Sequence, residues 1–366
     1  MPGSIPHSQG RKIDAGDISA QLCDAIRAAA ADGGQWFLRG GGSKTRLLGR
    51  HCAAGALDIG DHRGVVSYRP EEMVLTARAG TPIRELNALL AEQRQCLPFE
   101  PGEFDGRATI GGTLASGLSG PARPWRGSVR DAVLGIRLIN GHGEHLRFGG
   151  EVMKNVAGYD VSRLQAGALG TLGLITEVSL RLLPSPEGVL ELERDCPASE
   201  ALPCMRTLAQ RPLPLSGACW YRGVLHLRFA GSVAALRATA AELADFREVE
   251  SSLWPALREW SLPEFQDPGG FWRFDIAPAT AAGAELSEDL IDWAGARRFS
   301  RDTMAVEQAQ ALAGAAGGHA MRMGRGDTRD EVVARPVAAL AALQSRIKQA
   351  MDPRGVFNPR RLYSWL

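Results

Sequence analysis

The chain has six cysteines and no C-x-x-C pair among them. Cys23, Cys52, Cys96, Cys196, Cys204 and Cys219 are scattered, whereas an iron–sulfur cluster or structural zinc site draws on closely spaced thiolates. The spacing argues against both, and free, mostly buried thiols are the expectation. Net charge is nearly absent too: 42 Lys and Arg oppose 41 Asp and Glu, leaving +1 on 366 residues. So small a charge excludes a general electrostatic grip on nucleic acid or an anionic bilayer, and any anion site has to be local. No run of 18 apolar residues occurs, and residues 1–20 hold no hydrophobic signal core, so a cytoplasmic protein is expected. Internal repeats and the regular βαβ alternation of a Rossmann sheet are missing as well.

What the chain does have is glycine, placed in runs. Thr109-Ile-Gly-Gly-Thr-Leu-Ala-Ser-Gly-Leu-Ser-Gly120 carries four glycines and no charge. Side-chain-poor backbone of this kind can lie close against a polar or anionic group, with consecutive N–H groups converging on its oxygens. Arg39-Gly-Gly-Gly-Ser-Lys-Thr45 and Gly167-Ala-Leu-Gly-Thr-Leu-Gly173 ask for the same explanation. Three separated segments point to one extended cofactor held at several places.

At 45% hydrophobic and 23% charged, the chain can bury a large core divided between two domains. Residues 17–32 read as a helix ended by Gly33-Gly34, and residues 35–39 as a short buried strand running into the first glycine run. Two strands at 65–68 and 73–77 precede Gly80-Thr81-Pro82, where Thr81 can cap a helix and Pro82 fits its first turn. Asn140-Gly-His-Gly143 reads as the turn of a hairpin, and 174–183 as another strand closed by Pro184 and Pro186. Beyond 184–197, strands at 218–230, 271–276 and 319–323 alternate with helices at 233–246 and 305–316, the pattern of an α+β cap of ferredoxin-like type. A final amphipathic helix is expected at 337–351. The expected divisions are 1–185 for a cofactor domain, 186–330 for the cap and 331–366 for a returning C-terminal segment.

Two familiar phosphate motifs do not fit. The residue before Lys44 is Ser43 where a Walker A loop has glycine, and residues 167–173 read G-x-x-G-x-x-G without the acidic residue that closes a dinucleotide-binding βαβ unit. A different order of motifs does fit. Arg39-Gly-Gly-Gly-Ser43, Ala79-Gly80-Thr81, Thr109-Ile-Gly-Gly112 with Ser116-Gly117, Gly158-Tyr-Asp160, and Gly170-Thr-Leu-Gly173 with Ile175-Thr176 together resemble the flavin-binding domain of the vanillyl-alcohol-oxidase (PCMH-type) superfamily. The closing Asp352-Pro-Arg-Gly-Val-Phe-Asn-Pro359 resembles that superfamily's C-terminal return to the flavin. Two longer blocks, Gly120-Pro-Ala-Arg-Pro-Trp-Arg-Gly-Ser-Val-Arg-Asp131 and Gly149-Gly-Glu-Val-Met-Lys-Asn-Val-Ala-Gly-Tyr-Asp160, look like the FAD-binding-subunit family of bacterial glycolate oxidases. The likeness runs over nearly the whole chain.

The resemblance implies an α+β fold with a PCMH-type, two-subdomain FAD domain followed by the smaller cap. It implies FAD bound by Arg39, Gly40, Gly41, Gly42, Ser43, Lys44, Gly80, Thr81, Thr109, Gly111, Gly112, Ser116, Gly117, Gly158, Gly170, Gly173, Ile175, Thr176 and Asn358. The pyrophosphate would lie on Gly40 to Ser43 and Gly111-Gly112, and the ring and ribityl chain along Ser116 and Gly117. Relatives that attach flavin covalently use a histidine where this chain has Ser43, so noncovalent FAD is expected. The implied reaction is oxidation of glycolate, a 2-hydroxy acid, to glyoxylate within a complex. Its other members would be a larger FAD-binding catalytic subunit and an iron–sulfur subunit, with any membrane contact peripheral and through those partners.

Oxidising a 2-hydroxy acid requires a carboxylate anchor and an acceptor for the hydroxyl proton, tasks suited to arginine and histidine. Related dehydrogenases carry a two-histidine metal segment late in the cap. The matching stretch here, Gly317-Gly-His-Ala-Met-Arg322, keeps one histidine and has Met321 at the alternating position, so no two-histidine metal site can form there. His319 and Arg322 are the candidate catalytic pair. His142 and His145 read as a solvated turn, and Arg123, Arg126 and Arg130 as a basic loop open to phosphate, partner or solvent. Lys154 could meet the flavin or pair with Glu151. Trp254, Trp260, Trp272 and Trp293 read as core packing ahead of a docking face. Three roles stay open: an FAD subunit relaying electrons within a complex, a self-sufficient dehydrogenase, and an assembly subunit whose flavin does not turn over.

Overall fold

The computed structural model describes residues 16–150, 160–281 and 290–366. The cofactor domain is built on a five-stranded antiparallel sheet in the order Val65–Arg69, Val74–Arg78, Leu174–Arg181, Val133–Ile139, His145–Gly149. Alternation along the strands turns Leu75, Ala77, Ile136, Leu138, Val178 and Leu180 into one core. Ile83, Leu86 and Leu90, at helical spacing on Ile83–Ala91, close it from one side, and Ile110 and Leu114 of Ile110–Ser116 from another. The hairpin turn after Ile139 forms as expected, with Asn140 N–H donating to Glu144 O and Gly143 N–H to Asn140 O.

A smaller subdomain precedes this sheet. Trp36–Arg39 pairs in parallel with Gly55–Asp58, and the Ser19–Asp32 helix covers it with Leu22 and Ile26. The end of the chain returns to this subdomain. Phe357 bridges Trp36 in parallel, and Asp352 accepts the N–H groups of Val356 and Phe357 while pairing with Lys348 at 2.6 Å. The C-terminal motif is therefore a folded hook whose shape is set by one buried carboxylate.

The cap is an eight-stranded antiparallel sheet made of two like halves. In the first, strand Gly188–Asp195, helix Ala198–Ala209, strands Leu215–Tyr221 and Val224–Gly231, helix Val233–Glu242 and strand Arg247–Glu248 follow the β-α-β-β-α-β order of a ferredoxin-like unit. Its strands lie in the matching spatial order 4-1-3-2. In the second, Phe271–Asp275, Leu290–Asp292, Arg297–Ser300 and His319–Met323 repeat that order, joined to the first half where Leu215–Tyr221 meets Leu290–Asp292. Trp254, Trp260, Trp272 and Trp293 are all buried, as core packing requires. Cap and cofactor domain are locked by Arg228, which holds Glu100 with two bonds of 2.7 and 2.8 Å, and by the Trp293 indole N–H donating to Gly120 O at 3.2 Å.

Candidate functional site

One groove gathers the glycine runs. It is lined at one end by Leu38, Ile59, Ala79, Ala115 and Ile175, an apolar set, and further along by Gly40 to Thr45, Thr109, Gly112 and Ser116. The Trp36–Arg39 strand ends at its floor, and Leu169, Gly170, Gly173, Asn358 and Arg361 complete its wall. The 109–120 run, read above as approaching backbone, forms a short helix in its first part, Ile110–Ser116, capped by the Thr109 hydroxyl accepting from Gly112 N–H at 3.3 Å. Glycine is costly in a helix, but a Cβ on Gly111 would lie 2.6 Å from that of Ala79, so packing overrides propensity here.

The first run bends for two separate reasons. A Cβ on Gly41 would stand 1.5 Å from the Arg107 carbonyl oxygen, so the loop can pack there only as glycine. Gly42 has φ +66°, the left-handed region that disfavours side chains. Through this bend, the N–H groups of Gly41, Gly42, Ser43 and Lys44 find no acceptor among the described residues. Successive donors lining a groove without protein acceptors form an anion-binding cradle, and a diphosphate is an anion that fits it. The residues present therefore suit a dinucleotide with a charged middle and an apolar end.

Charge in the groove is rationed. Arg39 is tied to Asp58 at 3.0 Å. Arg361 spends its guanidinium on the carbonyl oxygens of Thr45, Leu48, Arg50 and Gly326, and burial lowers its pKa to about 10. The Lys44 ammonium sits 4.6 Å over the Phe104 ring, with the hydroxyls of Thr113 at 3.4 Å and Ser43 at 3.5 Å. Burial pushes its pKa down to about 8, with the Glu259 charge opposing. Asn358 is a strut, accepting from Leu38 N–H at 2.6 Å and donating to Leu169 O.

Not every expected residue reaches the groove. Gly80 and Thr81 lie behind it. Thr81 does not cap the following helix, whose N-cap is Pro82; its hydroxyl donates to Arg78 O at 2.7 Å and accepts from Gly64 N–H at 2.9 Å. The Thr176 hydroxyl is buried against His145 Nε2 at 2.8 Å, so His145 is a structural partner and no solvated turn residue. Gly117 ends the Ile110–Ser116 helix at φ +66° and packs on Gly167. Gly158, Glu151 and Lys154 lie outside the described residues. Conversely, Arg361, Leu38 and Ile59 line the groove and carry no motif signal beyond Arg361 standing two residues after the C-terminal motif.

Next to the groove, sharing Ser43 with it, opens a cavity of about 850 Å³ between the two domains. Phe104, Trp260 and Phe265 supply aromatic wall, and Arg46, Arg84 and Arg107 stand at it with no acidic partner among the described residues. Phe104 and Asp105 both have positive φ, 50° and 56°. The cap pins this strained loop: Glu259 accepts Glu103 N–H at 2.9 Å and Phe104 N–H at 2.7 Å. Nothing in the sequence links Glu259 to a loop more than 150 positions away.

The two cap candidates do not converge. His319 and Arg322 fall on opposite faces of the edge strand His319–Met323. His319 Nε2 is 3.6 Å from Asp275, a carboxylate that Arg273 and Arg297 hold far below its usual range. Burial lowers the His319 pKa against the pull of Asp275. His319 shares its face with Met321 and Met323, which pack toward Leu47, Leu48 and Leu169 of the cofactor domain. Arg322 lies over Trp272 on the other face and donates to Gly269 O. Among the described residues, no group of three His, Cys, Asp or Glu is arranged to hold a metal.

Comparisons with known proteins agree with this geometry. A family model described as an FAD binding domain matches residues 17–149. Over 351 residues, 96% of this chain and 99% of the relative, the sequence is 44% identical to glycolate oxidase subunit GlcE of Escherichia coli (strain K12). It is 34% identical over 149 residues, 40% of this chain and 32% of the relative, to glycolate oxidase subunit GlcD of Bacillus subtilis (strain 168). Among solved structures, an alkyldihydroxyacetonephosphate synthase superposes with a TM-score of 0.64 at 16% identity, covering 94% of this chain and 76% of that one, a likeness of fold.

Proposed function

We propose that this chain, which belongs to the family of glycolate oxidase subunit GlcE, is an FAD-binding subunit of a multi-subunit complex that oxidises glycolate to glyoxylate. The observation that carries the proposal is the run of acceptor-less N–H groups at Gly41, Gly42, Ser43 and Lys44, set in the groove that unites all three glycine runs. Oxidation of glycolate releases two electrons and two protons, and FAD supplies the two-electron acceptor. The chain's own residues bind and orient. Gly41 to Lys44 hold the diphosphate, the apolar end around Leu38, Ile59 and Ile175 takes an aromatic base, and the Phe104–Trp260 cavity receives the other end. Ser43 offers no ring nitrogen for covalent attachment, so the cofactor is noncovalent.

His319 and Arg322 remain the candidates for taking the hydroxyl proton and anchoring the carboxylate, but the exposed His319 pairs with Asp275, Arg322 lies over Trp272, and neither lines the groove or the cavity. Electrons leave to partners, a larger FAD-binding subunit and an iron–sulfur subunit, a division supported by the isolated free cysteines here. Among the described residues no helix is long and apolar enough to cross a membrane. We place the subunit in the cytoplasm, with membrane contact made through its partners. The test is anaerobic addition of glycolate to the FAD-loaded chain, alone and with the partner subunits. Loss of flavin absorbance only with the partners is the expected result. Loss with the chain alone would establish a self-sufficient dehydrogenase, and no loss in either case would leave an assembly role.

A further inference from the structure

Among the described residues, the groove lining holds three cations, and two are already engaged: Arg39 by Asp58, and Arg361 by four backbone carbonyl oxygens. Lys44 is different. Its ammonium is enclosed, lies over the Phe104 ring with two hydroxyls as its polar contacts, and has no carboxylate at ion-pair distance among the described residues. It also belongs to the loop whose N–H groups lack acceptors. We propose that Lys44 is the cation that meets the cofactor's diphosphate, and that FAD binding is thereby linked to uptake of a proton. The proposal rests on the FAD assignment above.

The electrostatics are those of a charge waiting for a partner. Arg39 and Arg361 line the groove together with Lys44, and Glu103, Arg258 and Glu259 line the cavity beside it. Glu259 is the charge that acts on Lys44, and its carboxylate is already shared by two backbone N–H groups and Arg258. Burial therefore wins and holds the free-state pKa at about 8. A dianion placed beside the ammonium favours its charged form and raises that pKa. Below pH 8 the lysine is already protonated and binding is insensitive to pH. Above it, the bound complex holds a proton that the free protein lacks, so affinity falls toward tenfold per pH unit.

Titration of the apo chain with FAD from pH 7 to 9.5, followed by flavin fluorescence, tests this. A constant Kd up to about pH 8 and a rise of roughly tenfold per unit above it are expected. ADP, which carries the diphosphate, should follow the same slope, and riboflavin, which lacks it, should not. Lys44→Met should bind FAD roughly 10- to 100-fold more weakly at pH 7, with a flat profile. Lys44→Arg, charged throughout the range, should restore affinity and stay flat. Parent-like affinity or slope in Lys44→Met, a persisting slope in Lys44→Arg, or a slope with FAD but none with ADP would each overturn the proposal. If Lys44→Met does not fold, the slope in Lys44→Arg decides alone. A parent that binds FAD with no slope refutes only the proton linkage. A parent that binds no FAD at any pH refutes the cofactor assignment itself.

Discussion

Replacing Gly41 by alanine puts the packing account of the first glycine run to a quantitative test. The added Cβ would lie 1.5 Å from the Arg107 carbonyl oxygen and 2.7 Å from its carbon. Both are backbone atoms of a loop with positive φ at Phe104 and Asp105, pinned from the cap by Glu259. Neither side can yield cheaply. Relief to ordinary contact needs a shift of more than 1 Å in one loop, and overpacking of that kind costs about 3 kcal/mol. Gly42→Ala is the internal control. Its Cβ would meet nothing closer than the Arg39 side chain at 3.6 Å, an ordinary contact, so the penalty is the left-handed backbone alone, about 1–2 kcal/mol. Chemical denaturation of the FAD-free proteins measures both, as a shift in midpoint at constant slope. We expect Gly41→Ala to lose at least twice as much stability as Gly42→Ala. Equal losses, or a Gly41→Ala midpoint within about 0.5 kcal/mol of the parent, would refute the claim that this glycine is required by loop-on-loop contact.

Two further predictions concern the seam between the domains. Glu100→Gln strands the Arg228 guanidinium, only 12% exposed, and should cost about 3 kcal/mol in urea unfolding; adding Arg228→Met should recover at least half, because the stranded charge is then gone. Asp292 is fully enclosed, and burial raises its pKa from 3.8 to about 7. Between those values the folded state keeps a proton that the unfolded chain releases, so Asp292 makes stability fall as pH rises from 4 to 7 and leaves it level above. Asp292→Asn should therefore stabilise the protein more at pH 8 than at pH 4, by up to about 4 kcal/mol, and a difference that does not change with pH would contradict this.

The parts of the fold that were legible in the sequence are those written locally. Asn140-Gly-His-Gly143 turns a hairpin because the turn residues dictate it, and strands alternating with helices from 218 onward suggested a ferredoxin-like cap, although strand Gly188–Asp195 lies where only a crossing between domains was expected. That the cap contains two such units fused along one sheet was not legible, since edge-to-edge pairing of Tyr221 with Leu290 is a long-range event. The candidate site divides in the same way. The glycine runs announced a groove, but sequence could not tell a glycine that faces the groove from one that other backbone leans on, as the Arg107 carbonyl leans on Gly41. Nor could it tell a threonine offered to a ligand from one consumed at home, as Thr81 is by Arg78 and Thr176 by His145. The 109–120 run hid a helix because glycine propensity argues against one, and only the neighbouring Ala79 explains why glycine is needed there.

Equilibrium titration of the FAD-free chain with FAD, followed by acid precipitation of the complex, is the most direct test of the central claim that this groove is a noncovalent FAD site. One FAD per chain, displaced by ADP and recovered in the supernatant after precipitation, is the predicted result. Absence of saturable binding would contradict the account, and flavin that stays with the precipitated protein would contradict its noncovalent character.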